Sequence, residues 1–235
     1  MKTPSMLKVL PLAAAGAALF ASMGANALSI GLDVGANGYD VILNDQQAGD
    51  LFAGVGGVTL VTSMGTWTLI ATNGTSQPLL APPRVDLNNV SVTSTGAGTL
   101  LVSVWDTYAP APGVPAFQGA IGGTTGGNVT VTYSQYQAGG AMGVLGGGHT
   151  GAPISGVSDG PFGPVAFSGT KVFPHAGNPT HPFDLGIDVT IRHTGPAATS
   201  FNALIQPVPI PAAALLFGSA LLGMVGFGRR GGAPG

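Results

Sequence analysis

One segment of the chain has the spacing of a nucleophilic serine motif. Residues 156–160 read Gly-Val-Ser-Asp-Gly, matching the G-x-S-x-G pattern that places a catalytic serine on a strand-to-helix turn. Candidate partners follow in the chain order of such hydrolases: Asp184, Asp188 and His193. However, Pro161 and Gly163 stand where the helix would begin, and both residue types disfavour a helix. Because glycine is abundant in this chain, we attribute the match around Ser158 to composition and expect no catalytic residue.

The chain has four histidines, which could bind zinc together with carboxylates: His149, His175, His181 and His193. No two of them have the spacing that would place both side chains on one helix face or across one hairpin. Pro and Gly residues surround His175 and His181, which is typical of loops. The pattern favours solvated loop histidines, and we predict no zinc site.

A run of oxygen-bearing residues could bind calcium. It comprises Asp33, Asn37, Asp40, Asp45 and Asp50. Calcium takes about six to eight oxygens on flexible loops, but the spacing and terminal glutamate of an EF-hand are missing here. Asp and Asn also bond their own backbone in turns. We therefore expect no cofactor, with a structural calcium ion as the alternative.

Aromatic side chains could stack on sugar rings if they were exposed. The candidates are Trp67, Trp105, Tyr108, Tyr133 and Tyr136. Trp67 shares a strand face with Leu69, which predicts a core position, whereas Tyr108 opens a Pro-rich segment and is expected at the surface. Exposure of Tyr108, Tyr133 and Tyr136 on one surface would favour a dedicated carbohydrate-binding module, and burial of all three would remove that hypothesis.

Composition limits the kinds of protein that this chain can be. Of its 235 residues, 45% are hydrophobic and 7% are charged, so a core can form with few ion pairs. Cysteine is absent, which excludes disulfides, thiolate metal sites and a cysteine nucleophile. Residues 28–206 contain nine aspartates, no glutamate and three strong cations, Arg84, Lys171 and Arg192. With this negative balance and no basic patch, we expect no nucleic-acid partner.

Strands must position these residues. Apolar and polar residues alternate over 185–191 and 129–134, as in half-buried strands. A strand is also predicted at 100–105, where Leu100, Val102 and Val104 share one face and Leu101, Ser103 and Trp105 lie opposite. Further strands are predicted from their Val, Ile, Thr and aromatic content at 39–44, 58–62, 66–72, 85–95, 165–173 and 199–205. Many short strands predict an all-β fold, an antiparallel β-sandwich of the jelly-roll or immunoglobulin-like type. The Gly- and Pro-rich segments 110–127 and 139–164 are predicted to be long loops.

The start of the chain has the features of a targeting segment. Residues 1–27 contain a lysine-bearing start, a short apolar run, and the small residues Ala25 and Ala27 on either side of one residue. This is the arrangement of a secretory signal peptide, whose helix would be cleaved after Ala27. We therefore assign the folded body to 28–206.

The C-terminal end of the chain has the features of a membrane-spanning segment. Residues 212–228 are uncharged and apolar, just long enough to cross a bilayer as a helix, and Arg229 and Arg230 follow at once. Arginines beside a span are retained in the cytoplasm. The body is therefore expected outside the inner membrane, with this single transmembrane helix as the stop-transfer segment. Pro209 and Pro211 predict a stiff, extended spacer before the helix.

This end resembles a known sorting signal. Val208-Pro209-Ile210-Pro211, the apolar span and Arg229-Arg230 follow one another in the order of the PEP-CTERM signal, although Ile210 stands where the motif has glutamate. The signal would occupy 207–235. The resemblance implies recognition by exosortase, a membrane protease-transpeptidase of exopolysaccharide-producing Gram-negative bacteria. It also implies transient anchoring in the inner membrane, cleavage at this motif, and transfer to the cell surface or extracellular matrix.

The sequence thus predicts an exported protein with a structural role at the cell surface or in a biofilm, without catalysis. Its low charge and its Gly- and Thr-rich composition suit association with exopolysaccharide through many weak hydrogen bonds. The alternative is a dedicated carbohydrate-binding sandwich, stabilised by calcium. A hydrolase built on Ser158, Asp184 and His193 would require these three side chains to meet.

Overall fold

The computed structural model describes residues 28–35, 38–80, 83–139, 153–176 and 182–208. All regular structure in these ranges is β-strand, and they contain no helix of the length and apolarity needed to cross a membrane. The predicted signal helix and transmembrane helix lie outside the described residues. The described part confirms the predicted all-β antiparallel sandwich.

Twelve strands make up the described sandwich. They are β1 (Ser29–Val34), β2 (Val41–Asn44), β3 (Gly57–Met64), β4 (Trp67–Thr75), β5 (Val85–Ser94), β6 (Gly98–Tyr108), β7 (Ala116–Thr125), β8 (Val129–Gly139), β9 (Pro153–Phe162), β10 (Val165–Pro174), β11 (Phe183–His193) and β12 (Ala197–Pro207). Short turns that contain glycine connect several of them, as the sequence predicts.

Each sheet of the described sandwich has six strands. The first sheet has the order β2-β1-β6-β11-β8-β9, and the second has the order β10-β7-β12-β5-β4-β3. From β5 to β12 the chain crosses to the opposite sheet at every step except β8 to β9. This is the connectivity of an eight-stranded jelly roll. The β1–β2 and β3–β4 hairpins extend one edge of each sheet.

The core lies between the sheets and follows from the alternation along each strand. In β11, Leu185, Ile187 and Val189 are fully buried between the sheets. Asp188 and Thr190 stand on the opposite, outer face and are only half-buried. Because successive side chains point to opposite faces of a strand, the register of β11 decides which residues reach the core and which reach solvent.

Two buried amides join the sheets. Gln135 and Gln137 of β8 face inward, and each is 1% exposed. Nε2 of Gln135 donates to the carbonyl of Lys171 (3.2 Å), and its Oε1 accepts from the Tyr133 hydroxyl (2.9 Å). Nε2 of Gln137 donates to the carbonyl of Ala176 (2.8 Å), whose N–H donates back to Oε1 (3.0 Å). These bonds satisfy polar groups that would otherwise cost about 1–3 kcal/mol each when buried.

Two segments that were predicted to be loops contain strands, so the prediction was wrong there. β7 lies within 110–127, and β9 lies within 139–164. In β7, Gly119 faces the core, where the amide of Gln135 occupies the space of a side chain. A Cβ on Gly119 would lie 1.1 Å from Gln135 Oε1. Glycine at this position is a packing requirement of a strand rather than a loop signal.

The last strand continues past the predicted end of the body at residue 206. Pro207 of β12 pairs with Phe117 of β7, and the N–H of Val208 donates to the carbonyl of Ala116 (2.9 Å). Sheet hydrogen bonding therefore reaches the first residue of the predicted sorting motif. The rest of that motif lies outside the described residues.

Candidate functional site

The outer face of the first sheet carries a groove of about 570 Å³ beside β8, β9 and β11. Its described lining includes Ser134, Tyr136, Gly156, Ser158 and Asp188. The volume lies within the range of about 300–1,000 Å³ that is typical of small-molecule sites. The groove combines a carboxylate, hydroxyls and an aromatic ring, which are the groups that orient polar ligands.

A row of polar residues crosses the first sheet beside and within this groove. Strand register places Ser103 of β6, Asp188 of β11, Ser134 of β8 and Ser158 of β9 next to one another in that order. All four stand on the outer face, because the alternate residues of these strands point towards the core. The hydroxyls of Ser134 and Ser158 are hydrogen-bonded at 2.8 Å. Ser103 is fully buried, so Asp188, Ser134 and Ser158 are the members that present oxygen atoms, at intervals of about 4.8 Å between neighbouring strands.

A second row, two residues further along each strand, alternates aromatic residues with glycine. Its members are Trp105, Gly186, Tyr136 and Gly156, paired in that order across the same four strands. The ring of Tyr136 lies over Gly186, where a Cβ would be 2.2 Å from its Cζ. Gly186 thus allows the ring to lie across the sheet. Trp105 and Tyr136 belong to a small apolar cluster on this outer face.

Tyr39 connects the polar row to the aromatic row. Its hydroxyl donates to Ser103 Oγ (2.9 Å), and its ring centroid lies 5.6 Å from that of Trp105. Burial raises the pKa of Tyr39 to about 12, the hydrogen bond to Ser103 lowers it, and the carboxylates of Asp188 and Asp33 raise it. The Tyr39 hydroxyl therefore remains a donor at neutral pH.

Asp188 is the charged residue among the described residues that line the groove. The remaining members of this lining are Gln135, Ile154, Ser155 and Val157, which are all uncharged. Burial raises the pKa of Tyr136 well above its ordinary value, and the nearby Asp188 carboxylate adds to the increase. A ligand would therefore meet a hydroxyl-rich surface that carries a single negative charge in its described part.

Ser158, Asp184 and His193 do not form a catalytic triad. Ser158 lies within β9 rather than on a strand-to-helix turn. Asp184 and His193 lie near opposite ends of β11, about 30 Å apart at roughly 3.3 Å per residue. His193 is buried, and its ring nitrogens lie 2.7 Å from Ser94 Oγ and 2.9 Å from Thr199 Oγ1. The hydrolase hypothesis is excluded for these three residues, and Ser158 belongs to the groove instead.

His193 differs from the prediction of a solvated loop position, whereas His175 lies outside any strand, as predicted, and is half-buried. His193 is in a strand and 1% exposed, and burial lowers its pKa. His175 follows β10, with Nδ1 3.0 Å from the carbonyl oxygen of Val114. His149 and His181 lie outside the described residues. Within the described part, no three His, Cys, Asp or Glu residues are grouped so that they could hold a metal ion.

The carboxylates of the predicted calcium segment accept backbone N–H groups. The Oδ2 atoms of Asp33 and Asp40 accept such bonds at 3.1 and 2.6 Å. Asp45 and Asp50 accept others at 2.7 and 2.8 Å. These are the bonds expected of Asp in turns. Asn37 lies outside the described residues, and structural calcium stays the untested alternative to the expectation of no cofactor.

The tyrosines considered for sugar stacking are buried. Tyr108 and Tyr133 are 1% exposed, and Tyr136 is 3% exposed. The hydroxyl of Tyr108 donates to the carbonyl of Arg84 (2.5 Å) on the inner side of the sheet. The expectation that Tyr108 lies at the surface was wrong, and an exposed platform of these three rings is excluded. Trp67 has its predicted core position, with 1% exposure.

Most of the predicted processing residues lie outside the described part of the chain: Ala25, Ala27, Pro209, Ile210, Pro211, Arg229 and Arg230. Val208 is described and is bonded to the second sheet through its N–H. The signal peptide, the sorting signal and the transmembrane helix therefore stay predictions.

Sequence reasoning did not single out Tyr39, Ser103 or Ser134 as site residues. The alternation over 129–134 and 100–105 already placed Ser134 and Ser103 opposite the core residues of their strands. The missing information was the strand order, because the polar row exists only where β6, β11, β8 and β9 are neighbours.

No protein-family model and no curated protein matches this chain. Among solved structures, the chain is similar to TmCBM61 in complex with β-1,4-galactotriose, at 8% identity and a TM-score of 0.34, over 51% of this chain and 70% of that chain. A second similar structure comes from work on the promiscuous specificity of carbohydrate-binding modules of the β-sandwich superfamily. The identity is 13% and the TM-score 0.36, and the match covers 77% of this chain and 84% of that chain.

A third similar structure is the enzymatically active domain of bacteriophage CBA120 tailspike protein 4, at 9% identity and a TM-score of 0.33. The match covers 65% of this chain and 19% of the tailspike chain. Identities and TM-scores this low carry no function from any of the three structures to this chain.

Proposed function

We propose that this protein binds a polysaccharide chain through hydrogen bonds in the groove on the outer face of its first sheet. The observation that supports the proposal is the part of the polar row that lines the groove, Asp188, Ser134 and Ser158 on three neighbouring strands. Ser103 is fully buried and bonded to Tyr39, so it supports the row without reaching a ligand. Sugar hydroxyls donate and accept hydrogen bonds, as serine hydroxyls do, and a carboxylate accepts them. A row of such groups can bond successive hydroxyls along a glycan.

The surroundings of the polar row suit a ligand that extends past the groove. β9 is the edge strand of the first sheet in the described sandwich, and Ser158 on it is exposed. Ile154 on the same strand is 47% exposed and adds an apolar contact. The aromatic and glycine row beside the polar row is largely buried, so the apolar contact for a sugar ring is Ile154, and the hydroxyls of that ring would bond Asp188 and Ser134.

Binding of this kind sums many weak contacts. A net hydrogen bond in water contributes about 0.5–1.5 kcal/mol, so a single sugar unit would be held weakly. A long chain that offers repeated units gains through avidity when several protein molecules hold it. Such binding suits a protein that stays within a polysaccharide matrix.

We also propose that the protein is exported and sorted by exosortase, on the strength of the resemblance at 207–235. Cleavage at Val208-Pro209-Ile210-Pro211 would release the body from the inner membrane to the cell surface or extracellular matrix. At that location the groove would meet exopolysaccharide. The two proposals are independent, because one concerns the sandwich and the other concerns the end of the chain.

Blocking the groove with a large side chain tests the binding proposal. Ser158→Trp would place an indole over the polar row, and Trp is compatible with a strand. Ser63→Trp is the matched control, because Ser63 is also exposed on an edge strand, β3 of the second sheet. Its hydroxyl donates to Thr68 on the next strand (3.3 Å), much as Ser158 bonds Ser134.

The assay is native affinity electrophoresis of the full chain in gels that contain exopolysaccharide from the producing cells. We expect the polysaccharide to retard the wild type and Ser63→Trp alike, and Ser158→Trp at least about fivefold less, which corresponds to losing roughly one net hydrogen bond. No retardation of the wild type, or equal retardation of both variants, would refute the proposal.

A further inference from the structure

We infer that an apolar patch at one end of the sandwich inserts into the surface of the lipid bilayer while the chain is anchored in the inner membrane. The apolar patch consists of Leu51, Val55 and Leu79, which are 66%, 46% and 50% exposed. The inference rests on the proposed sorting by exosortase, which requires a membrane helix after Val208. It adds a contact between the folded body and that membrane.

Strand register places the apolar patch at the end where the chain leaves the sandwich. The last residues of β12 pair with the first residues of β5, which pair with the last residues of β4, and those pair with the first residues of β3. The segment before β3 and the segment after β4 carry the apolar patch. Both segments therefore lie at the end of the sandwich from which Val208 follows β12, and β3 is three strand spacings, about 14 Å, from β12.

Leu28 lies at this end of the sandwich as well. The beginning of β1 pairs with the last part of β6, and Nε2 of Gln77, in the segment after β4, donates to the carbonyl of Thr107 in β6 (2.8 Å). The predicted signal peptide before Leu28 and the predicted membrane helix at 212–228 would therefore both join the body beside the apolar patch.

The spacer between the body and the predicted membrane helix is short. It consists of residues 209–211, which can span at most about 11 Å when fully extended. The N–H of Val208 is still bonded to the second sheet, at the carbonyl of Ala116. Anchoring therefore holds this end of the sandwich close to the headgroups.

The loop that carries Leu51 and Val55 is held by hydrogen bonds at its base. Oδ1 of Asp50 accepts the N–H groups of Phe52 and Thr59 (2.8 and 2.9 Å). These bonds fix the backbone without burying the apolar side chains of the loop, which are left in solvent.

The chemistry of the apolar patch suits a lipid surface. Residues 51–83 contain no charged residue and no histidine. Exposed apolar side chains that lie together on a soluble domain mark interaction sites, including sites that contact membranes. Since the segment offers no cation to anionic headgroups, the contact depends on burial of apolar surface at the boundary between headgroups and acyl chains.

The absence of cysteine from the chain allows a label at one chosen position. The experiment uses the full chain with Val55→Cys or Leu79→Cys, each carrying a nitrobenzoxadiazole fluorophore. The proteins are reconstituted in phosphatidylcholine vesicles that contain lipids with a nitroxide quencher at a shallow or a deep acyl position. We expect the shallow nitroxide to quench both labels more strongly than the deep one, because interfacial insertion reaches only about 5–10 Å. Added salt should leave the quenching unchanged.

Val165→Cys is the matched control. Val165 is 71% exposed, and it pairs with Thr125, at the opposite end of β7 from Ala116. At about 3.3 Å per residue these two ends of β7 are about 30 Å apart, so a label at Val165 should stay in water and unquenched. In the chain labelled at Val55, Leu79→Asp should abolish the quenching, because a carboxylate opposes insertion.

Flotation with the vesicles separates this inference from the proposed sorting. A chain that floats while the labels at Val55 and Leu79 stay unquenched would overturn the inference and leave the proposed membrane anchor in place. A chain that does not float would remove both. A label that enters an apolar environment without quenching by either lipid would indicate a second copy of the chain as the occupant, and that result would also overturn the inference. Polysaccharide binding is tested independently by gel retardation.

Discussion

Replacing Asp106 with asparagine should remove a loss of stability that the wild-type protein shows as the pH rises towards neutrality. Asp106 is 1% exposed, its Oδ2 accepts the Ser76 hydroxyl (2.5 Å), and its Oδ1 accepts the Thr107 N–H (2.7 Å). Burial raises the pKa of Asp106 to about 7, the two hydrogen bonds lower it, and Asp184 and Asp45 raise it. The folded protein therefore holds this proton more tightly than the unfolded chain does.

The two pKa values set the pH window and the magnitude. The stabilisation from Asp106 is fully present below the unfolded-state pKa of 3.8 and is lost as the pH rises through about 7. At about 1.36 kcal/mol per pH unit between these values, the free energy of unfolding should fall by roughly 4 kcal/mol. That is a large part of the roughly 5–15 kcal/mol that stabilises a typical domain.

The assay is urea unfolding of the wild type and Asp106→Asn from about pH 4 to about pH 8. Asparagine stays neutral and keeps an oxygen that can accept from Ser76. As the pH rises over this range, the free energy of unfolding of Asp106→Asn should increase by about 4 kcal/mol relative to that of the wild type. The lowered pKa of His193 affects both proteins and cancels in this difference.

A difference that stays constant with pH would refute this account of Asp106. So would an NMR titration of the Asp106 carboxyl carbon in the wild type that gave a pKa close to 3.8. The NMR measurement does not depend on the variant, so the test remains decisive if Asp106→Asn is too unstable to study.

Two further predictions concern packing and processing. Gly119→Ala should lower the free energy of unfolding by about 2–4 kcal/mol, because its Cβ would displace the buried Gln135 amide. Gly122→Ala on the same strand is the control, because a Cβ at Gly122 would have its nearest neighbour at 3.8 Å. It should change the free energy of unfolding by at most about 1 kcal/mol in urea unfolding. Equal effects of the two substitutions would contradict the packing argument. Mass spectrometry of the natural mature protein should find an N-terminus at Leu28 and a C-terminus at or after Val208. The sandwich should retain Val208 because its N–H is bonded to the carbonyl of Ala116. Recovery of the full-length chain from the cytosol would contradict the sorting proposal.

β11 was predictable from sequence although its Gly186 makes room for the Tyr136 ring, whereas β1 and β7, which also contain glycine for packing reasons, were not predicted. β11 was predicted over 185–191 because its apolar residues recur at every second position. β1 shows the same alternation but was not predicted, because Gly31 and Asp33 resemble turn residues. In the structure, Gly31 lies beneath the ring of Tyr39, where a Cβ would be 2.5 Å from Cε1. Glycine here makes room for a neighbour that is close in space, which local sequence patterns do not report.

The candidate site could be predicted only in part, because it depends on register as well as on residue type. Asp188 and Ser103 are neighbours across β11 and β6 although 85 residues separate them in the chain. A slip of one residue in β11 would turn Asp188 into the core and Ile187 to the outer face. The burial of Ile187 therefore holds Asp188 outward, so the apolar core itself specifies the polar row. Ser158 was noticed only as part of a G-x-S-x-G match attributed to composition, and it joins the polar row because the strand order places it beside Ser134.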